Sequence, residues 1–274
     1  MIETGIPSSH GSLFGLLEIP YGTDGEIPGV VLLHGFTSDR DESPIAGTED
    51  TIFRRTATRL AEAGFATLRF DFAGHGKSQE LPFEEIDLPG LVDDATCGIS
   101  YLARRPEISR DLFLIGQSMG GLVAACAAHR DDRIRGVALW NAPSNPLYTL
   151  WSTMGVEAVT TALVHGAVEF LWDGKGPFRL KRRFFETLME TVVLEQMSMY
   201  RGPLLVVAGK NDELVRPQPE TAEAFLHVHA GVHRLLMLDG DHTFNVTDGQ
   251  TGELDATILA TIDWFAQVTE DRHS

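Results

Sequence analysis

Ser118 lies at the centre of Gly116-Gln117-Ser118-Met119-Gly120, a Gly-x-Ser-x-Gly pattern that places a serine on a sharp turn. The apolar run 112–115 before it predicts a buried strand, and the Ala-rich run 122–128 after it predicts a helix. Small flanking residues let strand and helix approach closely, so the turn projects the hydroxyl outward. The pattern alone also arises by chance in Gly-rich loops. The strand-then-helix setting is what predicts a nucleophilic serine.

A serine hydroxyl is a weak nucleophile at neutral pH, so it needs a base in hydrogen-bond reach and an acid that orients the base. Two later loops supply these groups: Asp212 follows a predicted strand at 204–208, and His242 follows one at 234–238. The carboxyl ends of parallel strands meet at one sheet edge, where Ser118 also lies. Asp212 alone reads equally well as a turn residue, but the order Ser, Asp, His favours the catalytic interpretation. The rival acids are Glu213, Asp239 and Asp241.

A tetrahedral intermediate also needs two donors for its oxyanion. The backbone N–H of Met119, directly after the serine, is the first candidate. The second should come from the loop at 33–37, after an early strand, where Phe36 is the candidate donor and a wall for an acyl pocket. Gly35 permits the unusual backbone path. We interpret His34 as a structural hydrogen-bonding group rather than a second base.

Apolar segments alternate with helical patterns, which predicts an α/β fold with a mostly parallel sheet covered by helices. Strands are predicted at 12–19, 29–33, 65–70, 112–115, 136–140, 204–208 and 234–238. Helices are predicted at 51–63, 88–105, 122–128, 220–228 and 254–268. A turn carrying Asp24-Gly25 is predicted to join the first two strands.

Residues 141–201 interrupt this alternation with three helical stretches and a predicted hairpin around Asp173-Gly174-Lys175-Gly176. Ordinary connections are far shorter. We therefore predict a cap at 141–201, inserted into a core formed by 1–140 and 202–274; a pair of sheet-covering helices is the alternative. The cap is rich in aromatic and Met side chains, which indicates an apolar or aryl acyl group. The predicted substrate pocket comprises Phe36, Trp151, Trp172 and Phe178.

The bulk properties exclude several classes of function. The chain has 274 residues and a formal net charge of -17, which disfavours nucleic-acid binding. No signal peptide and no membrane-length apolar run are visible, so a cytoplasmic protein without membrane attachment is expected. Cys97 and Cys126 are expected to be buried thiols.

Three further patterns are set aside. Residues 74–78 resemble the end of a phosphate-binding loop, but the required first glycine would fall at Asp71, so a tight turn is predicted instead. His227, His229 and His233 lack a matching carboxylate motif, so no metal is expected. The basic run 179–183 is interpreted as a solvated helix start rather than an acidic-substrate site.

Together the motifs resemble those of α/β-hydrolase serine esterases, in particular bacterial cinnamoyl (feruloyl) esterases and their lysophospholipase-like and serine-aminopeptidase-like relatives. They are His34-Gly35-Phe36-Thr37, residues 71–78, Gln117-Ser118-Met119-Gly120-Gly121, Asn211-Asp212 and Asp241-His242. The resemblance runs from about residue 11 to 265. It implies an eight-stranded sheet with an inserted cap, Ser118 as nucleophile, His242 as base and Asp212 as orienting acid. It also implies Phe36 and Met119 as oxyanion donors, and a homodimer, since relatives are often dimers. Gln117 stands where many relatives have His, and the cap is longer and more hydrophobic.

The expected function is therefore a cofactor-free serine carboxylesterase for small apolar or aryl esters, acting through an acyl-enzyme. Thioesterase, peptidase and carbon–carbon bond hydrolase use the same three residues and stay open. A non-catalytic small-ligand binder on the same scaffold is the alternative from another class. Because the base must be neutral, activity should fall on the acid side of neutrality.

Overall fold

The computed structural model describes residues 1–22, 26–172 and 174–270, so the turn predicted at Asp24-Gly25 lies outside the described residues. The strands in these ranges are β1 (Ile2–Ser8), β2 (Gly11–Glu18), β3 (Ile27–Leu33), β4 (Ala66–Phe70), β5 (Ile108–Gln117), β6 (Ile134–Trp140), β7 (Ala167–Trp172), β8 (Lys175–Lys181), β9 (Leu204–Gly209) and β10 (His233–Leu238). The α-helices are α1 (Ile52–Glu62), α2 (Leu88–Ala103), α3 (Met119–Ala127), α4 (Pro146–Met154), α5 (Val156–His165), α6 (Arg182–Glu190), α7 (Val193–Met199), α8 (Glu220–Val228) and α9 (Gly252–Glu270). Short 3-10 turns occur at Phe83–Glu85, Ala128–Arg130 and Val246–Asp248.

The main sheet has the order β1-β2-β4-β3-β5-β6-β9-β10 among the described residues. Strand β2 runs antiparallel to both β1 and β4, whereas β4, β3, β5, β6, β9 and β10 run parallel to one another. The predicted α/β class and mostly parallel eight-stranded sheet are confirmed. Strand β1 is the one member that the sequence analysis did not predict.

Helices cover both faces of the sheet because its central strands are apolar on both sides. In β5, Phe113 and Ile115 belong to the buried cluster on the side of α1 and α9. Leu112 and Leu114 alternate with them and belong to the cluster on the side of α2, α3 and α8. This period of two is the strand geometry expected for a doubly covered sheet.

The parallel register brings the carboxyl ends of five strands to one edge. Leu33 pairs with Gly116, Gln117 with Trp140, and Trp140 with Val207. Gly209 pairs with Leu238 on the last strand. The loops that leave these strand ends therefore begin side by side, as expected for ligand sites in parallel sheets.

Residues 141–201 lie between β6 and β9 and contain α4 to α7 and the hairpin β7–β8. The hairpin prediction is confirmed, with Asp173 outside the described residues. The described part of this stretch contains four helices where three were predicted.

The prediction of a solvated helix start at 179–183 holds for Arg182 and Arg183, which are exposed and begin α6, but not for the residues before them. Arg179 and Lys181 end strand β8 and form ion pairs with Glu84 and Glu85 of the 3-10 turn. The strand continues through these residues because its partner β7 pairs with them, and α6 begins only at Arg182. The charges thus join residues 141–201 to the core surface.

Cys126 is buried and Cys97 is half-buried, and both are free thiols. Of the helices described, none has the length and hydropathy needed to cross a bilayer.

Candidate active site

Ser118 occupies a strained turn between β5 and α3. Its φ of 52° and ψ of -120° lie in a region that non-glycine residues rarely adopt. Its N–H donates to the Trp140 carbonyl at 2.8 Å, which secures the turn against the neighbouring strand. The two flanking glycines are required by space: a Cβ at Gly116 would lie 2.2 Å from the Gly120 carbonyl oxygen, and a Cβ at Gly120 would lie 1.9 Å from that of Leu33. The strand–turn–helix setting inferred from the sequence is therefore present.

Asp212 and His242 meet at the same sheet edge. His242 Nδ1 lies 2.8 Å from Asp212 Oδ2, while Asp212 Oδ1 accepts the N–H groups of Leu214 and Val215 at 2.9 and 2.8 Å. Asp212 is 5% exposed. The aspartate is thus both the turn residue and the histidine partner, the two interpretations left open by the sequence.

This arrangement assigns the tautomer of His242. An ionised carboxylate only accepts hydrogen bonds, so Nδ1 carries the proton and Nε2 keeps its lone pair. Burial lowers the pKa of His242, but the charge of Asp212, its hydrogen bond to the ring and the charge of Asp241 outweigh burial and raise that pKa above its ordinary value of 6.5. The ring is prepared to receive a proton at Nε2.

The loop after β3 is held by His34. Its Nε2 accepts the Phe72 N–H at 3.1 Å, so its Nδ1 carries the proton and donates to the Gly35 carbonyl at 2.9 Å. Burial lowers the pKa of His34 to about 4, which keeps the ring neutral. Because Gly35 C=O and Phe36 N–H belong to one planar peptide, this bond also fixes the direction of the Phe36 N–H.

The N–H groups of Phe36 and Met119 have no acceptor among the described residues. Met119 is the first residue of α3, where a helix leaves its N–H groups unpaired. Ser118 Oγ likewise has no hydrogen-bond partner within these residues. Catalytic hydrogen bonds often form only when substrate binds. The two N–H groups and the hydroxyl are therefore free to bind one.

Asn141, which the sequence analysis did not identify, fastens the histidine loop to the sheet. Its Nδ2 donates to the carbonyls of His242 at 2.9 Å and Asp241 at 3.3 Å, and its Oδ1 accepts the Gly209 N–H at 2.8 Å. Asn141 is fully buried and has a φ of 46°. Gln117 Nε2 adds a bond to the His242 carbonyl at 3.3 Å. The only sequence signal was a polar residue directly after β6.

Two cavities open beside Ser118 and His242. One, of about 40 Å³, has apolar walls from α3, α4 and α6, including Leu122, Leu150 and Leu188. The other, of about 220 Å³, is called the polar cavity here because polar groups share its lining with apolar side chains such as Leu171 and Leu214. The polar groups include Thr37, Ser38, Glu42, Ser43, Gln117, Thr153, Lys175 and Thr243. Phe36 and Trp172 border both cavities.

Two members of the predicted pocket do not line either cavity. Trp151 is 39% exposed, because α4 turns Pro146, Thr149 and Leu150 toward the apolar cavity and successive helical residues point about 100° apart. Phe178 packs against Phe83 and Phe170, with ring centroids 5.2 and 5.7 Å apart, and so supports the pocket wall from behind.

The rival acids serve other roles. Asp241 Oδ1 accepts the N–H groups of Thr243 and Asn245 and shapes its own loop. Asp239 pairs with Lys210 at 2.8 Å on the surface. The described residues contain no group of three or more His, Cys, Asp or Glu arranged to hold a metal ion.

A larger cavity of about 620 Å³ lies elsewhere, at the opposite edge of the sheet. Its walls include Ile134, where β6 begins, and Trp264 near the end of α9. None of the predicted site residues borders this cavity, so we do not assign it to the candidate active site.

The family model for serine aminopeptidase, S33, matches residues 30–169. A putative hydrolase, YtaP of Bacillus subtilis, is 28% identical over 130 residues, which is 42% of this chain and 44% of that protein. The mouse mitochondrial palmitoyl-protein thioesterase ABHD10 is 23% identical over 80% of this chain and 70% of its own length. The chain matches less than half of each of the first two curated relatives.

Est1E from Butyrivibrio proteoclasticus, solved with ferulic acid bound, superposes with a TM-score of 0.74 at 22% identity, over 96% of this chain and 99% of that one. This similarity establishes the α/β-hydrolase fold. Together with the family match, which covers half of the chain, it identifies the protein as an α/β hydrolase that belongs to the serine aminopeptidase S33 family.

Proposed function

We propose that this hydrolase is a serine carboxylesterase that cleaves small apolar or aryl esters through an acyl-enzyme. The observation that carries the proposal is the 2.8 Å contact between Asp212 and His242, the second of which lines a cavity together with Ser118. These are the nucleophile, base and orienting acid that acyl transfer requires.

In the proposed mechanism, His242 Nε2 takes the Ser118 proton as Oγ attacks the ester carbonyl. The N–H groups of Phe36 and Met119 stabilise the oxyanion, and Asp212 stabilises the imidazolium that forms. His242 then gives its proton to the leaving alcohol. Water, activated by the same nitrogen, attacks the acyl-enzyme, and the carboxylic acid product leaves with Ser118 restored.

The two cavities suggest how an ester would lie. The narrow apolar cavity suits a compact acyl group, and the polar cavity suits a hydroxylated or otherwise polar alcohol. Residues 141–201 supply walls to both, which supports our proposal that they form a cap on a core of 1–140 and 202–274. Ferulic acid bound to Est1E is a compact aryl acid of the kind that we propose here.

A thioesterase is the second candidate, since ABHD10 is named a palmitoyl-protein thioesterase. The same residues would cleave a thioester by the same steps. The small apolar cavity favours a short acyl chain over a palmitoyl chain. Matched oxygen esters and thioesters of one acyl group would separate the two candidates.

The direct test compares Ser118→Ala with Ser198→Ala, a matched control at a half-buried serine of α7. We expect the first variant to lose p-nitrophenyl butyrate hydrolysis and fluorophosphonate labelling, and the control to keep both. A folded Ser118→Ala enzyme with full activity would overturn the nucleophile assignment. Wild-type protein that neither hydrolyses esters nor reacts with the label would instead favour a non-catalytic binder.

A further inference from the structure

Glu42 places a carboxyl group behind the oxyanion loop. It lies in the loop after β3 with a φ of 62°, and its own N–H donates to the Asp39 carbonyl at 2.9 Å. Its Oε2 accepts the Gly35 N–H at 2.5 Å. The same side chain borders the polar cavity that contains Ser118 and His242. The mechanism above gives this carboxyl no role.

Gly35 lies close to both the carboxyl group and the nucleophile. A Cβ on Gly35 would lie 3.3 Å from Glu42 Oε2 and 3.4 Å from Ser118 Cβ. The N–H of Gly35 binds Glu42, and its C=O binds His34 Nδ1 at 2.9 Å. Both peptides that flank Gly35 are therefore fixed, one by each side chain.

The orientation of the following peptide depends on both contacts. His34 sets the plane that contains the Phe36 N–H, but a single hydrogen bond still permits the loop to rock about Gly35, which lacks a side chain. The second bond, to Glu42, removes that freedom. Preorganised donors lower the barrier because they need not reorganise as charge develops.

We propose that Glu42 is a positioning residue of the oxyanion hole, which it stabilises by accepting the Gly35 N–H. This inference rests on the proposed esterase function. The role needs an acceptor of the correct reach and does not need a negative charge. Burial raises the pKa of the Glu42 carboxyl above its ordinary value. An ionised group so near an oxyanion would oppose it.

Three substitutions of Glu42 distinguish the effect of side-chain length from the effect of side-chain charge. Glu42→Gln keeps a carbonyl oxygen at the same reach and removes the charge. Glu42→Asp keeps the charge but is one methylene shorter, and Glu42→Leu removes the acceptor. Glu49→Leu, at an exposed acid on the same connection between β3 and α1, is the matched control. Activity should be expressed per fluorophosphonate-labelled site, so that any unfolded fraction does not count.

We expect Glu42→Asp and Glu42→Leu to lower kcat roughly tenfold or more, with KM within about twofold, since oxyanion donors act on the transition state. Glu42→Gln and the control should stay within about threefold of wild type by the same reasoning. Affinity for a trifluoromethyl ketone, which forms an oxyanion adduct with Ser118, should fall in parallel with kcat. If Glu42→Leu does not fold, the kcat of Glu42→Asp compared with that of Glu42→Gln still tests the inference.

The inference is overturned if Glu42→Gln loses as much kcat as Glu42→Asp, because an uncharged acceptor of the correct reach would then not be sufficient. It is equally overturned if Glu42→Asp and Glu42→Leu keep the wild-type kcat, whether or not their KM changes. These outcomes leave the proposed function intact as long as Ser118→Ala is inactive. An active Ser118→Ala variant would instead remove the proposed function itself.

Discussion

Replacement of Asp212 by Asn should disable the base while leaving the fold intact. Asp212 Oδ1 accepts two backbone N–H groups, from Leu214 at 2.9 Å and Val215 at 2.8 Å. In Asp212→Asn only the amide oxygen can accept these bonds, so it must take the Oδ1 position. The amide NH₂ then faces His242 Nδ1, which was 2.8 Å from the carboxylate. A donor in that place requires Nδ1 to accept, and the imidazole proton moves to Nε2.

With its proton on Nε2, His242 cannot take the proton of Ser118. Loss of the correct tautomer in a triad costs about 10⁴ in kcat, which corresponds to about 5 kcal/mol of transition-state stabilisation. Steady-state hydrolysis of p-nitrophenyl butyrate would measure this loss. Thermal unfolding followed by circular dichroism should show nearly the wild-type Tm, because the turn keeps both of its hydrogen bonds.

Two further variants make this test decisive. Asp212→Ala should lose both activity and stability, since two buried N–H groups lose their acceptor at roughly 1–3 kcal/mol each. Asp239→Asn, at an exposed rival acid, should keep wild-type activity. If Asp212→Asn stayed within tenfold of wild-type kcat, or if Asp239→Asn were the inactive variant, our account of the base would be refuted.

Two other predictions concern the histidine loop. The acid limb of kcat/KM should have a pKa above 6.5, because neighbouring carboxylates raise the pKa of His242 and only the neutral ring is a base. A pH–rate profile whose acid limb has a pKa below 6.5 would contradict this. Asn141→Ala should lower both Tm and kcat, because the buried Gly209 N–H loses its acceptor at roughly 1–3 kcal/mol and the loop carrying His242 loses two bonds; unchanged Tm and kcat would show that Asn141 does not position the loop.

The central strands could be predicted from the sequence because burial on both faces leaves an uninterrupted apolar run. Strands β5, β6 and β9 meet this condition, and each prediction lies inside the observed strand. Strand β1 does not meet it. It lies at the sheet edge, only Ile6 of its seven residues is buried, and it contains Pro7. Its pairing with β2 across the turn at 9–10 is local in sequence, but its mostly exposed residues form no apolar run that marks a strand.

The same distinction applies to the site. Ser118, Asp212 and His242 follow strands directly, so their meeting follows from parallel topology alone. Asn141 also follows a strand. Its role, however, depends on the path of the loop after β10, and the local sequence around Asn141 does not specify that path. Glu42 becomes significant only because its loop folds back against Gly35. Trp151 was predicted to line the pocket but does not, because tertiary packing determines which face of α4 lies against the cavities.

Substrate choice and oxyanion stabilisation are linked through one residue. The Phe36 ring contacts Trp172 and Phe184 of residues 141–201, at centroid distances of 4.8 and 5.7 Å, and its backbone N–H is the proposed donor. An acyl group too large for the apolar cavity must displace these rings, and the displacement would reach the Phe36 backbone. Oversized esters should therefore lose kcat as well as binding, because the misfit is transmitted to the transition state rather than confined to the pocket.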